Sequence, residues 1–349
     1  MKKTSLKDIA SQLGVSPTLV SFVLNGQGDK KGINPETQKK VRTLAKKLNF
    51  KPNELARSLR LGNSKTIGLI ITDISNDFYS TLAKSIEEKA SAHGYNVIFM
   101  NSEEDPEKEA KLIELLLDRS VDGLIISTTS VGREEMRQLR NSNIPFVLMD
   151  RYVPGVKTNY VIVDNYKGAY EMTEHLLALG LNRIALLYVT PSHLTTMKHR
   201  ISGYKDALRS KGMSANNKLI REIPHDSISE RMEIELKQLI LEENIQSIFF
   251  LNNKLAKAGL ELINKYKLRI PQDLSIASFD DIDLFRFSNP TITSVIQPKE
   301  EIGMQAFEIL LEQIQNKDSD SKKKQVVLPV KLVVRESCGS LFKRTFDEI

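Results

Sequence analysis

From Thr66 onward the sequence alternates short apolar runs with amphipathic stretches, and that rhythm admits few folds. Thr66-Ile67-Gly68-Leu69-Ile70-Ile71 is apolar almost throughout, as a parallel strand covered on both faces must be. Similar runs predict strands at 95–100, 123–126, 146–149, 160–163, 184–187, 247–250 and 274–277. Between them, apolar residues at three- and four-residue spacing predict helices over 80–93, 106–119, 134–140, 166–179, 200–211, 229–242 and 254–266. A short strand over 292–296, a helix over 300–314, a charged loop over 316–324 and a strand pair or bent strand over 326–334 follow. Such alternation implies right-handed crossovers and doubly wound parallel sheets with helices on both faces.

The first sixty-odd residues follow different rules. Leu6, Ile9, Ala10 and Leu13 give one helix an apolar face. Gly14 supplies a turn, because glycine alone takes the left-handed conformation without steric cost. Ser16-Pro17 is an N-cap and first-turn pair that opens a second helix, which buries Leu19, Val20, Val23 and Leu24 and leaves Pro17, Thr18, Ser21, Phe22 and Asn25 nearer solvent. Asn34-Pro35 starts a third helix with Val41, Leu44, Ala45 and Leu48 facing inward. This is the pattern of a helix-turn-helix, whose second helix lies in the major groove of DNA; an ordinary helical hairpin is the plainer alternative. Charge favours DNA. Residues 1–65 carry 14 Lys/Arg against 4 Asp/Glu, a balance of +10, while the whole chain is +6, so the remainder is −4. The basic excess sits where phosphates would be neutralised. Residues 53–62 can form only one short helix, too short to be stable alone, which makes them a candidate switch as well as a linker.

At 349 residues, 40% hydrophobic and 27% charged, the chain has room for two or three domains with sizeable cores. The single Cys338 allows no internal disulfide and no cysteine-based zinc cage, which suits a reducing cytoplasm. Met1-Lys2-Lys3-Thr4 has no apolar segment behind it, so no signal peptide is expected. No run approaches the roughly 18 apolar residues of a membrane span. The glycines of the loop Gly26–Gly32 follow no buried strand and meet no phosphate-loop spacing. The five histidines (His93, His175, His193, His199, His225) lack metal spacing and no nucleophile elbow is present, so neither metal, cofactor nor catalytic residue is expected and an enzyme is disfavoured. A transporter's solute-binding protein would share such a core, but not the basic N-terminal helices.

Several motifs in order carry a family resemblance: Leu6-Lys7-Asp8-Ile9-Ala10, Gly14-Val15-Ser16, Leu48-Asn49-Phe50-Lys51-Pro52-Asn53, Ala56-Arg57-Ser58-Leu59, Val121-Asp122-Gly123, Val163-Asp164-Asn165, Arg200-Ile201-Ser202-Gly203-Tyr204, Phe279-Asp280-Asp281 and Leu328-Pro329. The chain resembles the lactose-repressor (LacI)/purine repressor family of bacterial transcription regulators over nearly its full length. The resemblance implies an all-α helix-turn-helix domain at 1–52 (motif about 6–25), a hinge helix and linker at 53–64, an effector-binding and dimerisation core at 65–340, and a tail at 341–349. The core would be two doubly wound parallel-sheet subdomains of periplasmic-binding-protein-like type joined by three crossovers: an N-subdomain of about 65–163 plus 294–323 and a C-subdomain of about 164–292 plus 324–340.

It further implies a cytoplasmic homodimer on a near-palindromic double-stranded operator, probed through Ser5, Leu6, Ser16, Pro17, Thr18, Ser21, Phe22 and Asn25, with Ala56, Leu59 and Arg60 in the hinge. Leu59 would wedge between base pairs in the minor groove; capping the core is its alternative role. Pro17, Thr18 and Phe22 depart from the longer polar or basic side chains of better-known relatives, and Phe22 either meets bases or packs onto the third helix. The step from Asn25 to Thr37 is also three residues longer than in those relatives. For the effector, loops at the carboxyl ends of strands offer Asn76, Phe78, Tyr79, Asp150, Thr196, Arg200, His225, Asn252 and Asp280, planar polar groups and aromatic faces suited to a sugar. Arg200 and Asp280 could instead form an ion pair across the cleft. Asn253 stands where an acid is common in the family.

Overall fold

The computed structural model describes residues 4–50, 63–129, 139, 142–316 and 323–340. The expected hinge positions Ala56, Leu59 and Arg60, nearly all of the expected helix at 134–140, most of the charged loop and the tail at 341–349 lie outside the described residues. The chain divides into two compact units between Ser64 and Lys65.

The small unit holds three helices, α1 (Leu6–Leu13), α2 (Pro17–Leu24) and α3 (Pro35–Lys47). Each opens on a side-chain cap, from Ser5, Ser16 and Asn34, and Pro17 and Pro35 occupy first-turn positions where no N–H is needed. Gly14 ends α1 at φ +64°, turning the chain into α2. Ile9, Ala10, Val20, Val23, Val41 and Ala45 are buried together where the helices cross.

The large unit contains two six-stranded sheets. In chain order its elements are β1 (Thr66–Ile71), α4 (Asp77–Ala92), β2 (Asn96–Asn101), α5 (Pro106–Asp118), β3 (Gly123–Ile126), β4 (Phe146–Met149), β5 (Asn159–Val163), α6 (Asn165–Ala178), β6 (Ile184–Val189), α7 (Thr195–Ser210), β7 (Ile220–Ile223), α8 (Ile228–Leu241), β8 (Ser247–Phe250), α9 (Asn253–Lys265), β9 (Ser275–Phe279), α10 (Asp283–Phe287), β10 (Thr293–Ile296), α11 (Lys299–Gln315), β11 (Gln325–Leu328) and β12 (Lys331–Val333). The first sheet runs β11-β5-β4-β3-β1-β2 and the second β12-β10-β9-β8-β6-β7. The two orders are the same once β11 is matched to β12 and each first-half strand to its second-half counterpart. All neighbouring strands pair in parallel except β12, which lies antiparallel to β10. β1, buried from Ile67 on, and the fully buried β3, β4, β8 and β9 are central strands, as their near-continuous apolar sequences require.

The chain passes between the subdomains at Asp164, at Gln297-Pro298 and at Pro329-Val330. The last two correct the expected boundaries. β10 belongs to the second sheet, so 294–296 is not part of the N-subdomain, and β11 belongs to the first, so 325–328 is not part of the C-subdomain. The segment expected as one strand pair or bent strand is two strands in different sheets, because Pro329 donates no ladder hydrogen bond and interrupts the run. Two elements escaped the periodicity: β7, a half-exposed edge strand, and α10, only five residues long. α7 also starts five residues earlier than expected, since Leu194 at its N-cap makes no side-chain cap that would mark the boundary.

α6 and α7 cross closely at Gly203. A β-carbon there would lie 2.3 Å from the Tyr166 carbonyl oxygen and 2.9 Å from the Tyr170 backbone nitrogen. Backbone cannot yield as a side-chain tip can. Gly203→Ala should therefore lower the stability of the large unit by about 1–3 kcal/mol, read as a lower urea midpoint at unchanged m; an unaltered midpoint would contradict this packing.

Candidate functional site

Eight of the residues expected at a DNA interface fall within the small unit. Ser5 and Asp8 cap α1 reciprocally, Ser5 Oγ accepting the Asp8 N–H and Asp8 Oδ2 accepting the Ser5 N–H at 2.7 Å. Leu6 is half-buried against the core. Ser16 Oγ accepts the Leu19 N–H at 3.1 Å, which leaves its own O–H free to donate outward. Pro17 and Thr18 are exposed on the first turn of α2. Asn25 Nδ2 donates to the Ser21 carbonyl at 2.8 Å and to Ser21 Oγ at 3.2 Å. Phe22 is half-exposed, with Lys31 Nζ 5.2 Å from its ring centroid, and stands apart from the side chains that fill the three-helix core.

The nine candidate effector residues all line one cavity between the two subdomains, about 560 Å³ of space open in part to solvent. They arrive there because the strands of both sheets end at the cleft. Asn76, Phe78 and Tyr79 lie at the start of α4 after β1; Asp150 directly follows β4; Thr196 and Arg200 lie on the first two turns of α7; Asn252 follows β8; and Asp280 directly follows β9. Thr196 Oγ1 and Gln297 Oε1 are buried there without a hydrogen-bond partner among the described residues.

Asp150 and Asp280 occupy equivalent positions in the two halves. Both are buried, both take left-handed backbone (φ +67° and +77°), and each N–H donates to the neighbouring strand, to Val161 O at 2.9 Å and Val295 O at 3.0 Å. Aspartate tolerates this conformation better than most residues. The turn aims Asp280 into the cleft while the adjacent Asp281 takes the Arg335 guanidinium at 2.8 and 3.0 Å. On the first half, Asp150 Oδ2 accepts from Tyr79 Oη at 2.9 Å. Burial pushes the Asp150 carboxyl upward, with Arg151 and Arg200 acting against it.

Arg200 is 3% exposed. Its Nε donates to Asn165 Oδ1 at 2.7 Å, its Nη1 to the Leu251 carbonyl at 2.6 Å, and its guanidinium carbon lies 3.7 Å from the Phe279 ring centroid. Burial lowers its proton affinity, and Asp280 and Asp150 partly restore it. An Arg200–Asp280 pair across the cleft does not arise: both residues belong to the second subdomain, where Asp280 is instead bonded by Gln297 Nε2 and the Asn253 N–H.

Sequence reasoning missed several lining residues. Arg151 makes a two-pronged bond to Glu104, at 2.6 and 2.7 Å. Burial alone would raise the Glu104 carboxyl, but Arg151 outweighs it and holds the group below its ordinary range. Lys254 pairs with Asp73 across the cleft mouth, and beside it Asn253 Nδ2 donates to Asn76 Oδ1 at 2.8 Å. The strand-end rule that found Asp150 and Asn252 would also reach Asp73, Arg151 and Gln297. Glu104 had no such signal, since it lies in the acidic run Glu103-Glu104-Asp105 that reads as a solvated loop. His225 joins the cavity from the loop after β7, with burial and then Lys254 lowering its proton affinity. Among the described residues no group of His, Cys, Asp and Glu could hold a metal ion, and no helix is long and apolar enough to cross a membrane.

Residues 5–53 match the family model described as bacterial regulatory proteins, lacI family. Residues 64–336 match the model of periplasmic binding proteins and sugar binding domain of the LacI family. The chain is 35% identical over 334 residues to the ribose operon repressor of Halalkalibacterium halodurans, spanning 96% of this chain and 97% of that protein. It is 32% identical over 342 residues to the HTH-type transcriptional regulator DegA of Bacillus subtilis, spanning 97% and 99%. Among solved structures, a LacI family transcriptional regulator from Enterococcus faecium with bound ribose is 28% identical, with a TM-score of 0.67 over 78% of this chain and 98% of that one.

The Arg151–Glu104 pair gives a direct test. A carboxyl held low in the native state contributes stability that is complete above its ordinary value near 4.5 and is lost as the pH falls through the lower native value. Glu104→Gln removes the two-pronged partner of a buried guanidinium and leaves it only Asp150 Oδ2, 3.3 Å from its Nε, so it should cost about 3–5 kcal/mol at neutral pH. Urea unfolding at several pH values should also show this variant losing less stability than wild type on acidification below about pH 4.5. Equal acid sensitivity in both proteins would refute the assignment.

Proposed function

Because the chain belongs to the LacI family of bacterial regulatory proteins, we propose that it is a DNA-binding transcriptional repressor controlled by an unphosphorylated sugar in the cleft. One observation carries this reading: a basic helix-turn-helix unit shares the chain with a two-subdomain unit whose strand-end polar residues converge on one cavity. The repressor acts in the cytoplasm as a homodimer on a near-palindromic operator. Ser16 and Ser21 contact phosphates, while Thr18 and Phe22 meet base edges. A ligand that favours one orientation of the two subdomains shifts the DNA-binding equilibrium, with a coupling of about 1–3 kcal/mol.

Charge within the cavity argues for a neutral ligand. Four carboxylates (Asp73, Glu104, Asp150, Asp280) face three cations (Arg151, Arg200, Lys254). Arg151 and Lys254 are committed to Glu104 and Asp73, and His225 is shifted toward its neutral form. A phosphate would meet an acidic surplus, whereas hydroxyls can donate to Asp150 and Asp280 and accept from Arg200. The ring of Phe78 supplies an apolar face. The ribose bound by the Enterococcus faecium regulator and the naming of the Halalkalibacterium halodurans relative support a pentose as the first candidate.

Thermal unfolding against neutral sugars, their phosphates and nucleobases tests this. A neutral sugar at 100 times its dissociation constant should stabilise the wild type by about 2.7 kcal/mol. Arg200→Ala and Asp280→Ala should abolish the response, and the corresponding sugar phosphate should give none. Stabilisation by the phosphate alone, or a shift that both variants retain, would overturn the ligand class or the site.

A further inference from the structure

The outer surface of α2 has an unusual property for a helix that is to lie against a polyanion. Its sequence, Pro17-Thr18-Leu19-Val20-Ser21-Phe22-Val23-Leu24, contains no cation, and its second outward turn presents the Phe22 ring. A phenyl ring can meet a thymine methyl but cannot donate to a base edge or to a phosphate.

The loop between α2 and α3 supplies what the helix lacks. Lys31 Nζ lies 5.2 Å from the Phe22 ring centroid, while the lysine itself is exposed. The loop that carries it is built, not merely long. Lys31 N–H donates to the Gln27 carbonyl at 3.1 Å, and Ile33 N–H to the Gly28 carbonyl at 3.0 Å. Gln38, 4% exposed, donates from Nε2 to Asp29 Oδ1 and to the Ile33 carbonyl, both at 2.8 Å, and accepts from Arg42 Nη2 at 3.1 Å. Gly28 is buried against that amide, where a β-carbon would come within 2.4 Å of it. Asp29, the acid nearest in sequence, is exposed but bonded through Oδ1 to Gln38, and among the described residues Lys31 forms no ion pair.

Given the DNA-binding reading above, we infer that Phe22 and Lys31 form one composite reading head. The ring meets a thymine methyl, and the ammonium held beside it donates to O6 or N7 of a neighbouring guanine. The base-reading cation comes from the anchored loop instead of from α2. Cation–π attraction keeps the flexible lysine stem over the ring, so less side-chain freedom remains to be lost on docking.

The test is selection of duplex DNA from a random pool by the full-length protein, followed by affinity measurements on the selected site over a range of salt. Wild type should select half-sites with a guanine at one fixed position beside a thymine. Lys31→Gln should lose about ten-fold or more in affinity for that site and, in its own selection, lose preference at the guanine position alone. Lys31→Arg should keep the preference. Lys30→Gln should weaken all sequences alike and flatten the salt slope by about one phosphate contact. Unchanged far-UV circular dichroism and melting of each variant would verify that the small unit still folds. A Lys31→Gln variant that behaves as Lys30→Gln does, or binds as wild type does, overturns the inference and leaves DNA binding intact. A wild type that selects no duplex at all would instead overturn the functional reading on which the inference rests.

Discussion

The second half of the cleft is arranged around a buried guanidinium. Moving such a charge out of water costs several kcal/mol unless acceptors surround it, and Arg200 obtains them from three separate places. Asn165 comes from the crossover that opens α6, the Leu251 carbonyl from the end of β8, and the Phe279 ring from the end of β9. Neither the start of α6 nor the two strand ends can move far without exposing or orphaning the charge. The crossover between subdomains is thereby tied to the wall of the cavity. This gives physical content to the motifs Val163-Asp164-Asn165 and Arg200-Ile201-Ser202-Gly203: the first provides the acceptor, and the second provides both the donor and the glycine that lets α7 lie close enough to reach it.

The two halves also solve one backbone problem in the same way. Each follows its third-from-edge strand with an aspartate in left-handed conformation, its N–H fixed to the next strand. Both carboxylates line the cavity between the subdomains, one from each half. A ligand between them would meet acceptors from both sides. Asp73–Lys254 and Asn76–Asn253 join the subdomains at the mouth, each pairing the β1–α4 connection with the start of α9. Asn253 Nδ2 donates to the Asn76 Oδ1 that also caps α4, a bond that a carboxylate at 253 could not give.

Much of this was legible in the sequence because its signals are local. Near-continuous apolar runs located the central strands, and Ser16-Pro17 and Asn34-Pro35 marked the starts of α2 and α3. The rule that ligands sit at the carboxyl ends of parallel strands brought together Asn76, Asp150, Asn252 and Asp280. What escaped was decided by partners distant in sequence. Glu104 is a cleft residue only because Arg151, far along the chain, folds against it. The boundaries near 294 and 324 depend on which sheet offers a free edge, and a strand sequence does not say which edge it will join. β7 is a half-exposed edge strand whose Arg221 and Glu222 break the apolar run, and α10, at five residues, is too short for periodicity to register.

The last two strands have a consequence for how the molecule is made. β11 completes the edge of the first sheet beside β5, and β12 completes the edge of the second beside β10, only a proline and a valine apart. During synthesis, therefore, neither half can finish ahead of the other. Both wait with an unpaired strand edge until the same short stretch of chain is available, and unpaired edges invite association with other chains. One frameshift upstream of residue 325 would leave both halves unsealed together, so the nascent protein passes a single late checkpoint and not two independent ones.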